Sequence, residues 1–365
     1  MENNRNSINS TQARLFMLTA EIGVGILSLP ADLAKSVGHD GWICVIAACF
    51  ISIVAGILIA FFLKRYSDRS ILEINKLLYG KYIGTFINYV LVVYTFLISS
   101  YILRRFSELI KISILRNTPS VILSFFVTIP TIYLTWYGLK AICRYCKLFY
   151  ASMATMLLLL VLVSKNIRIT FLQPVGEAGL MTIIKGVGTV SFSFLGYELL
   201  SFIYPNIEDK NKVVKSTIIA TFLSGIFYVL IVIVCTGVFG ENRMKFMTFP
   251  TFSLSRIYKS EVIERVDLFF ISFWMPITTG AMRNYYFCTY DSCYRLLNIK
   301  KPKVLHTLVL ITTVVVSRIP KNVIQVEKLG KLVNIYGISV IGFLLISYAL
   351  SFANKRGVVD NEGSN

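Results

Sequence analysis

The sequence predicts an all-α polytopic membrane protein of about ten spans, built as two five-span halves of opposite orientation with the first and sixth helices broken. Three observations lead there. Apolar runs of roughly 20 residues, long enough to cross a bilayer, recur along almost the whole of a 365-residue chain that is 55 % hydrophobic, with a mean hydropathy of +0.68. The first run is interrupted by Gly23-Val24-Gly25 shortly before Pro30, and the sixth by Phe194-Leu195-Gly196-Tyr197-Glu198. Five is an odd number, so a second set of five spans enters the membrane the other way round, which makes the repeat inverted. An ordinary soluble domain is excluded.

The spans are read near residues 12–36, 42–63, 83–103, 119–138, 145–164, 179–204, 216–239, 266–289, 304–319 and 333–353. They form a single domain over 1–365, with repeat one at about 12–164, repeat two at about 179–353 and short polar tails. No small-residue cleavage site follows the first span, so it is expected to belong to the mature protein rather than to a signal peptide. Residues 64–82 are polar with Ile71, Ile74, Leu77 and Leu78 at helical spacing, which suggests an interfacial helix. Pro130 and Pro276 are candidate kinks in spans four and eight. The segment 240–264 carries Met247, Phe249, Phe252, Leu254 and Ile257, and reads either as a cap over an entrance or as a packed loop.

The breaks carry most of the functional information. Glycine inside a helix costs about 1 kcal/mol relative to alanine, and Pro30 cannot donate to the helical ladder. A freed amide or carbonyl in hydrocarbon costs several kcal/mol unless protein, water or ligand satisfies it. Paired breaks at corresponding positions of two halves therefore point to a small-molecule site at mid-membrane. Close helix packing at small residues is the competing reading for Gly23 and Gly25. Amides opening the second half of span one carry partial positive charge and suit a carboxylate. Carbonyls around Phe194, Leu195 and Gly196 suit an ammonium group. An α-amino acid has both poles.

A formal net charge of +18 lies mainly in loops beside anionic lipid headgroups, so the lipid bilayer and no nucleic acid is the expected partner of these charges. The cluster Lys64, Arg65, Arg69, Lys76 and Lys81 favours a cytoplasmic N-terminus, and with ten spans a cytoplasmic C-terminus. Four of seven cysteines sit inside spans, and Cys143 and Cys146 form a lone C-x-x-C with no second pair. His39 and His306 are far apart in sequence. No metal site, no cofactor and no enzyme motif is expected.

Several motifs together bring a family into view. Ile22-Gly23-Val24-Gly25-Ile26-Leu27-Ser28-Leu29-Pro30 resembles the first broken helix of amino acid/polyamine/organocation permeases, and Phe192-Ser193-Phe194-Leu195-Gly196-Tyr197-Glu198 resembles their sixth. Narrower features are Gly38-His39-Asp40-Gly41-Trp42, Thr118-Pro119, Gly138-Leu139 with Arg144, Glu264-Arg265-Val266-Asp267 with Trp274, and Arg318-Ile319-Pro320. In this order the chain is similar to the B subunit of bacterial endospore germinant receptors, the spore germination permeases. The resemblance implies a LeuT-like fold in the spore inner membrane. It also implies a small germinant, often an amino acid, and two partners, a germinant-receptor A subunit and a C-subunit lipoprotein.

The ligand-binding set expected on these grounds is Ile22, Gly23, Val24, Gly25 and Ile26 with Phe194, Leu195, Gly196 and Tyr197. One of Phe192, Phe194 and Tyr197, foremost Phe194, is expected to cover the ligand. The resemblance adds Tyr94 and Thr95 of span three and Trp274 and Thr278 of span eight. Glu21, deep in span one, reads as a gating or proton-coupling carboxyl, or as a neutral one bonded to a neighbouring helix. Glu198 resembles the glutamate that ends the permease motif, where a gating contact is expected. A sodium site would need span-one carbonyls and hydroxyls such as Thr278 and Thr279, and hydroxyls are common in membrane helices. Three functions compete: a receptor subunit for a germinant, an autonomous proton-coupled amino-acid transporter, and a structural anchor with a vestigial cavity.

Overall fold

The computed structural model describes residues 6–23, 25–257, 265–299 and 302–353; Val24 and residues 258–264 of the segment between spans seven and eight lie outside them. All ten sequence-predicted spans are helical. Span one consists of Ser10–Glu21 and Gly25–Ser36, bent by 49°, and span six of Leu180–Phe194 and Tyr197–Asn206, bent by 48°. Spans two to five are Gly41–Lys64, the later part of Ile71–Ser113, Ser120–Trp136 and Leu139–Asn166. Spans seven to ten are Val213–Phe239, Val266–Leu297, Pro302–Arg318 and Val323–Ala353. Five unbroken helices and the two bent pairs have the length and apolarity of a membrane span. The eighth is less apolar because it carries Asp267 and Arg283, and spans four and nine are short at 17 residues.

Chain direction in the broken spans gives the inversion. The start of span one and the end of span six lie together: Ile8 pairs in parallel with Ile207, its N–H donating to the Asn206 carbonyl (2.9 Å) and its carbonyl accepting from the Glu208 N–H (2.9 Å). The Asp209 carboxylate then accepts from the backbone N–H (2.5 Å) and hydroxyl (2.7 Å) of Ser10, the first helical residue. Asn9 and Gln12 complete a reciprocal cap on the same helix. Spans one and six thus leave the same face in opposite chain directions.

The polar segment after span two is helical from Ile71 and turns at Gly80, whose φ of 80° suits glycine. The short helix folds back on the start of span three through Asn75, which donates to Asn88 (2.8 Å), while Asn88 donates to the Leu72 carbonyl (2.8 Å). Gly84 permits the approach: a Cβ there would sit 2.5 Å from the Asn75 carbonyl oxygen.

On the opposite face, Glu241–Met244 and Pro250–Leu254 pack against the second half of span one. Pro30 does not end that half-helix, which continues to Ser36. Its missing N–H leaves the Ile26 carbonyl without its ladder partner, and the Thr251 hydroxyl donates to that carbonyl instead (2.7 Å). The described part of the 240–264 segment is therefore bonded to the broken helix. Beside it, the Glu241 carboxylate accepts from the His39 N–H (2.8 Å), and Asp40 accepts from Gly176 (2.9 Å) and Ala178 (3.0 Å). Partial burial raises the Glu241 carboxyl, but hydrogen bonds from His39 and Lys245 outweigh it and hold the group below its ordinary value.

Candidate functional site

The two breaks touch each other. A Cβ on Gly25 would lie 2.8 Å from the Ser193 hydroxyl and 3.3 Å from its Cα, so the start of the second half of span one lies directly on the end of the first half of span six. The contact is reciprocal: a Cβ on Gly196 would meet the Glu21 backbone nitrogen at 2.5 Å and the Ala20 carbonyl carbon at 2.9 Å. Gly196 also has φ +147°, so glycine is required there twice over. Gly23 faces span eight instead, 3.1 Å from the Ala281 Cβ by the same measure.

The polar groups released by each break find partners on neighbouring spans. After Glu21 the backbone leaves the helix at Ile22 (φ −83°, ψ 68°), and the Gly23 N–H turns back to the Glu21 carbonyl (2.9 Å). The Glu21 carboxylate accepts from Thr221 (2.9 Å) and from Ser224, both on span seven. The Tyr228 hydroxyl, farther along the same face of span seven, lies 2.7 Å from the Glu21 carbonyl oxygen and 2.9 Å from that of Ser193. In span six, one Glu198 oxygen accepts from Tyr94 of span three (2.6 Å) and Tyr285 of span eight (2.9 Å). The other accepts from the Gly196 N–H (2.6 Å), which caps the second half-helix. Both carboxyl groups are buried with every oxygen bonded, so each acts as a tie between a break and the helices around it.

Between the breaks lies a cavity of about 20 Å³. Its walls are Ala20, Glu21, Gly23 and Gly25 of span one, Ile98 and Ile102 of span three, Phe192, Ser193 and Leu195 of span six, and Tyr285 of span eight. That is room for about one water. Apolar side chains of spans three and six surround a strip of broken backbone.

Of the sequence-predicted residues, Glu21, Gly23, Gly25 and Leu195 wall this cavity. Ile22, Ile26 and Gly196 shape the breaks without lining it. Phe194 points away and packs edge-on against Tyr228, with ring centroids 5.4 Å apart. Phe192 lines the cavity and meets Tyr101 edge-on at 5.6 Å. Tyr197 packs beside Gly56 of span two. Tyr94 reaches Glu198, and Thr95 accepts from Thr289 (2.9 Å). Trp274 stacks on Phe106 (6.0 Å, 9°), and the buried Thr278 hydroxyl has no hydrogen-bond partner among the described residues. Val24 lies outside the described residues.

Sequence reasoning did not single out Thr221, Ser224 and Tyr228, although their i, i+3, i+7 spacing puts three hydroxyls on one face of an apolar span. It also passed over Arg283, a charge in mid-span. The guanidinium is fully buried over the Tyr145 ring (4.1 Å).

Comparison with known proteins places this geometry. A family model described as "Spore germination protein" matches residues 7–326. The chain is 24 % identical over 363 residues to Spore germination protein B2 of Bacillus subtilis (strain 168), covering 98 % of each. To Spore germination protein A2 of the same organism it is 29 % identical over 286 residues, covering 76 % of this chain and 78 % of that one. Among solved structures it is similar to MhsT in complex with L-phenylalanine, with a TM-score of 0.71, 12 % identity, and coverage of 98 % of this chain and 94 % of that one. A substrate-bound outward-open Na⁺-coupled sialic acid symporter gives a TM-score of 0.67 at 12 % identity, covering 95 % and 80 %. At such identities the likeness shows the fold, a LeuT-like 5+5 inverted repeat with its first and sixth helices broken.

Proposed function

The chain belongs to the spore germination protein family, and from that premise we propose that it is a germinant-receptor B subunit. It binds a small germinant, an amino acid, between the two breaks and passes the event to an A subunit and a C-subunit lipoprotein. The whole chain acts as one permease-like domain in the spore inner membrane, with both termini cytoplasmic. The observation that carries this reading is the reciprocal contact of the breaks, Gly25 on Ser193 and Gly196 on Glu21, beside an apolar cavity.

In this reading the ligand's ammonium group faces the carbonyls of Glu21 and Ser193. Its carboxylate faces the free amides in the first turn of Gly25–Ser36. Gly23, Gly25 and Leu195 form the cradle, with Ile98, Ile102, Phe192 and Tyr285 closing it. Ile22, Ile26 and Gly196 hold the backbone open, and Val24, outside the described residues, belongs to the same proposed binding set. Phe194, Tyr197, Tyr94, Thr95, Trp274 and Thr278 support it from behind or from other depths. Glu21 and Glu198 gate the site, because losing their hydrogen bonds would free each break from spans seven, three and eight. A ligand that moves such a gate from 1:99 to 99:1 needs about 5.5 kcal/mol of differential affinity.

The test is genetic and biochemical together. Spores lacking the chain should lose their response to a defined amino acid, and the wild-type chain, but not an Ile98→Phe chain, should restore it. Co-purification with A- and C-type subunits supports a receptor. Accumulation of the same amino acid by vesicles holding this chain alone supports the alternative, a proton-coupled transporter that uses the same cavity.

A further inference from the structure

We propose that Tyr228 is a built-in competitor for the ligand: its hydroxyl occupies the two carbonyls freed by the breaks, and it must release them before an ammonium group can bind. This inference rests on the amino-acid reading of the cavity given above.

A phenol carries one O–H, yet the Tyr228 oxygen lies within hydrogen-bond distance of two carbonyl oxygens, 2.7 Å from that of Glu21 and 2.9 Å from that of Ser193. Each carbonyl belongs to a residue that walls the cavity, whereas Tyr228 itself does not. One proton shared between two acceptors satisfies both poorly. The Glu21 carbonyl also accepts from Gly23 N–H (2.9 Å), so both of its lone pairs are already engaged. An arriving ammonium, with three N–H donors, therefore finds the phenol on both carbonyls and the Glu21 carbonyl already full, and gains the pair only by displacing Tyr228.

The surroundings allow such a displacement without loosening the fold. Thr221 and Ser224 on the same face of span seven hold the Glu21 side chain, so span one stays attached when Tyr228 lets go. The Tyr228 ring meets Phe194 edge-on (5.4 Å), and a shift of the ring moves the residue next to Ser193 in the second break. Ligand arrival would then be felt at span seven and at both breaks together. The hydroxyl keeps the empty site closed and prevents bare carbonyls in the membrane interior.

The sign of the expected effect is unusual for a residue beside a binding site. Removing a hydrogen bond made only in the empty state strengthens binding. Wild-type and Tyr228→Phe chains in nanodiscs would be screened by thermal shift against each of the twenty L-amino acids, and Kd measured for those that stabilise the protein. The Phe variant should bind the same amino acid about three- to tenfold more tightly. The corresponding acid lacking the amino group should show no such gain. Equal or weaker binding by the variant, with the wild type binding normally, overturns the proposal and leaves the cavity assignment standing. Failure of every amino acid to bind the wild type overturns the cavity assignment and this inference with it. If Tyr228→Phe does not accumulate, 3-fluorotyrosine placed at 228 in the otherwise unchanged chain answers the question by ¹⁹F NMR. Its resonance should move with the amino acid and not with the deaminated acid, and an unmoved resonance refutes displacement.

Discussion

Replacing Gly25 by alanine places one methyl group at the tightest point of the site. The new carbon would lie 2.8 Å from the Ser193 hydroxyl oxygen and 3.3 Å from both Cα and Cβ of Ser193. The hydroxyl can rotate away; the Cα belongs to the backbone of the second break and yields only if the two breaks separate. Overpacking of this kind costs about 1–3 kcal/mol. If the ligand needs the breaks in contact, that cost appears as a right shift of the germinant dose-response of about 5- to 150-fold. Valine, with two further methyl groups, should exceed it. The control is Ser193→Gly in the same chain, which removes the hydroxyl and Cβ contacts and should recover part of the shift, a coupling of the 0.5–3 kcal/mol size seen between touching residues. Spores carrying each variant would be compared by receptor quantity and by dose-response. An unchanged curve, or lost protein with no shift in the surviving receptor, refutes the reasoning and assigns Gly25 to helix packing alone.

Three further outcomes are expected. Glu21→Gln should alter the pH dependence of the response without abolishing accumulation, because one carbonyl oxygen still accepts from span seven; identical responses across pH would make the carboxyl purely structural. Tyr94→Phe and Tyr285→Phe each remove a donor to the buried Glu198, so each should destabilise the protein by about 1–3 kcal/mol, read as a lower thermal midpoint in detergent. Where Ile8–Ser10 is strapped to Ile207–Asp209, partial burial raises the Asp209 carboxyl, but the Ser10 hydrogen bonds outweigh it and hold the group below its ordinary value. The strap should therefore resist proteolysis above about pH 4, the ordinary carboxylate value, and lose that protection only as pH falls through the lower folded value, whereas Asp209→Asn should be cleaved at neutral pH as well.

Hydropathy and backbone breakers made the fold legible, because span length and glycine–proline chemistry are local properties. The breaks lie where Gly23-Val24-Gly25 and Leu195-Gly196 put them. Depth was harder to read. On span eight, Trp274, Thr278, Ala281 and Tyr285 recur at helical spacing, and the cavity is lined by Tyr285, seven residues or about 10 Å beyond Thr278. On span three, Tyr94 was singled out while Ile98 and Ile102, one and two turns farther along, form the wall. Periodicity identifies the face of a helix; the level at which neighbouring helices cross depends on tertiary packing. Of the span-six aromatics, Phe192 rather than Phe194 lines the cavity, because the short 3-10 turn at Phe192–Phe194 directs the second ring toward Tyr228. The span-seven hydroxyls left a visible signal, a polar stripe with no purpose in an apolar helix until Glu21 is placed opposite it.

In the function proposed above, the space between the two breaks takes the amino acid. The most direct test is equilibrium binding of the amino acid that triggers the spores to the purified chain, wild type against Ile98→Phe, which fills the cavity from its span-three wall. Saturable binding at one site is expected in the wild type, and its loss in the variant at an unchanged thermal midpoint. Undiminished binding by the filled variant, or no binding by a wild-type chain that still supports the spore response, would contradict it.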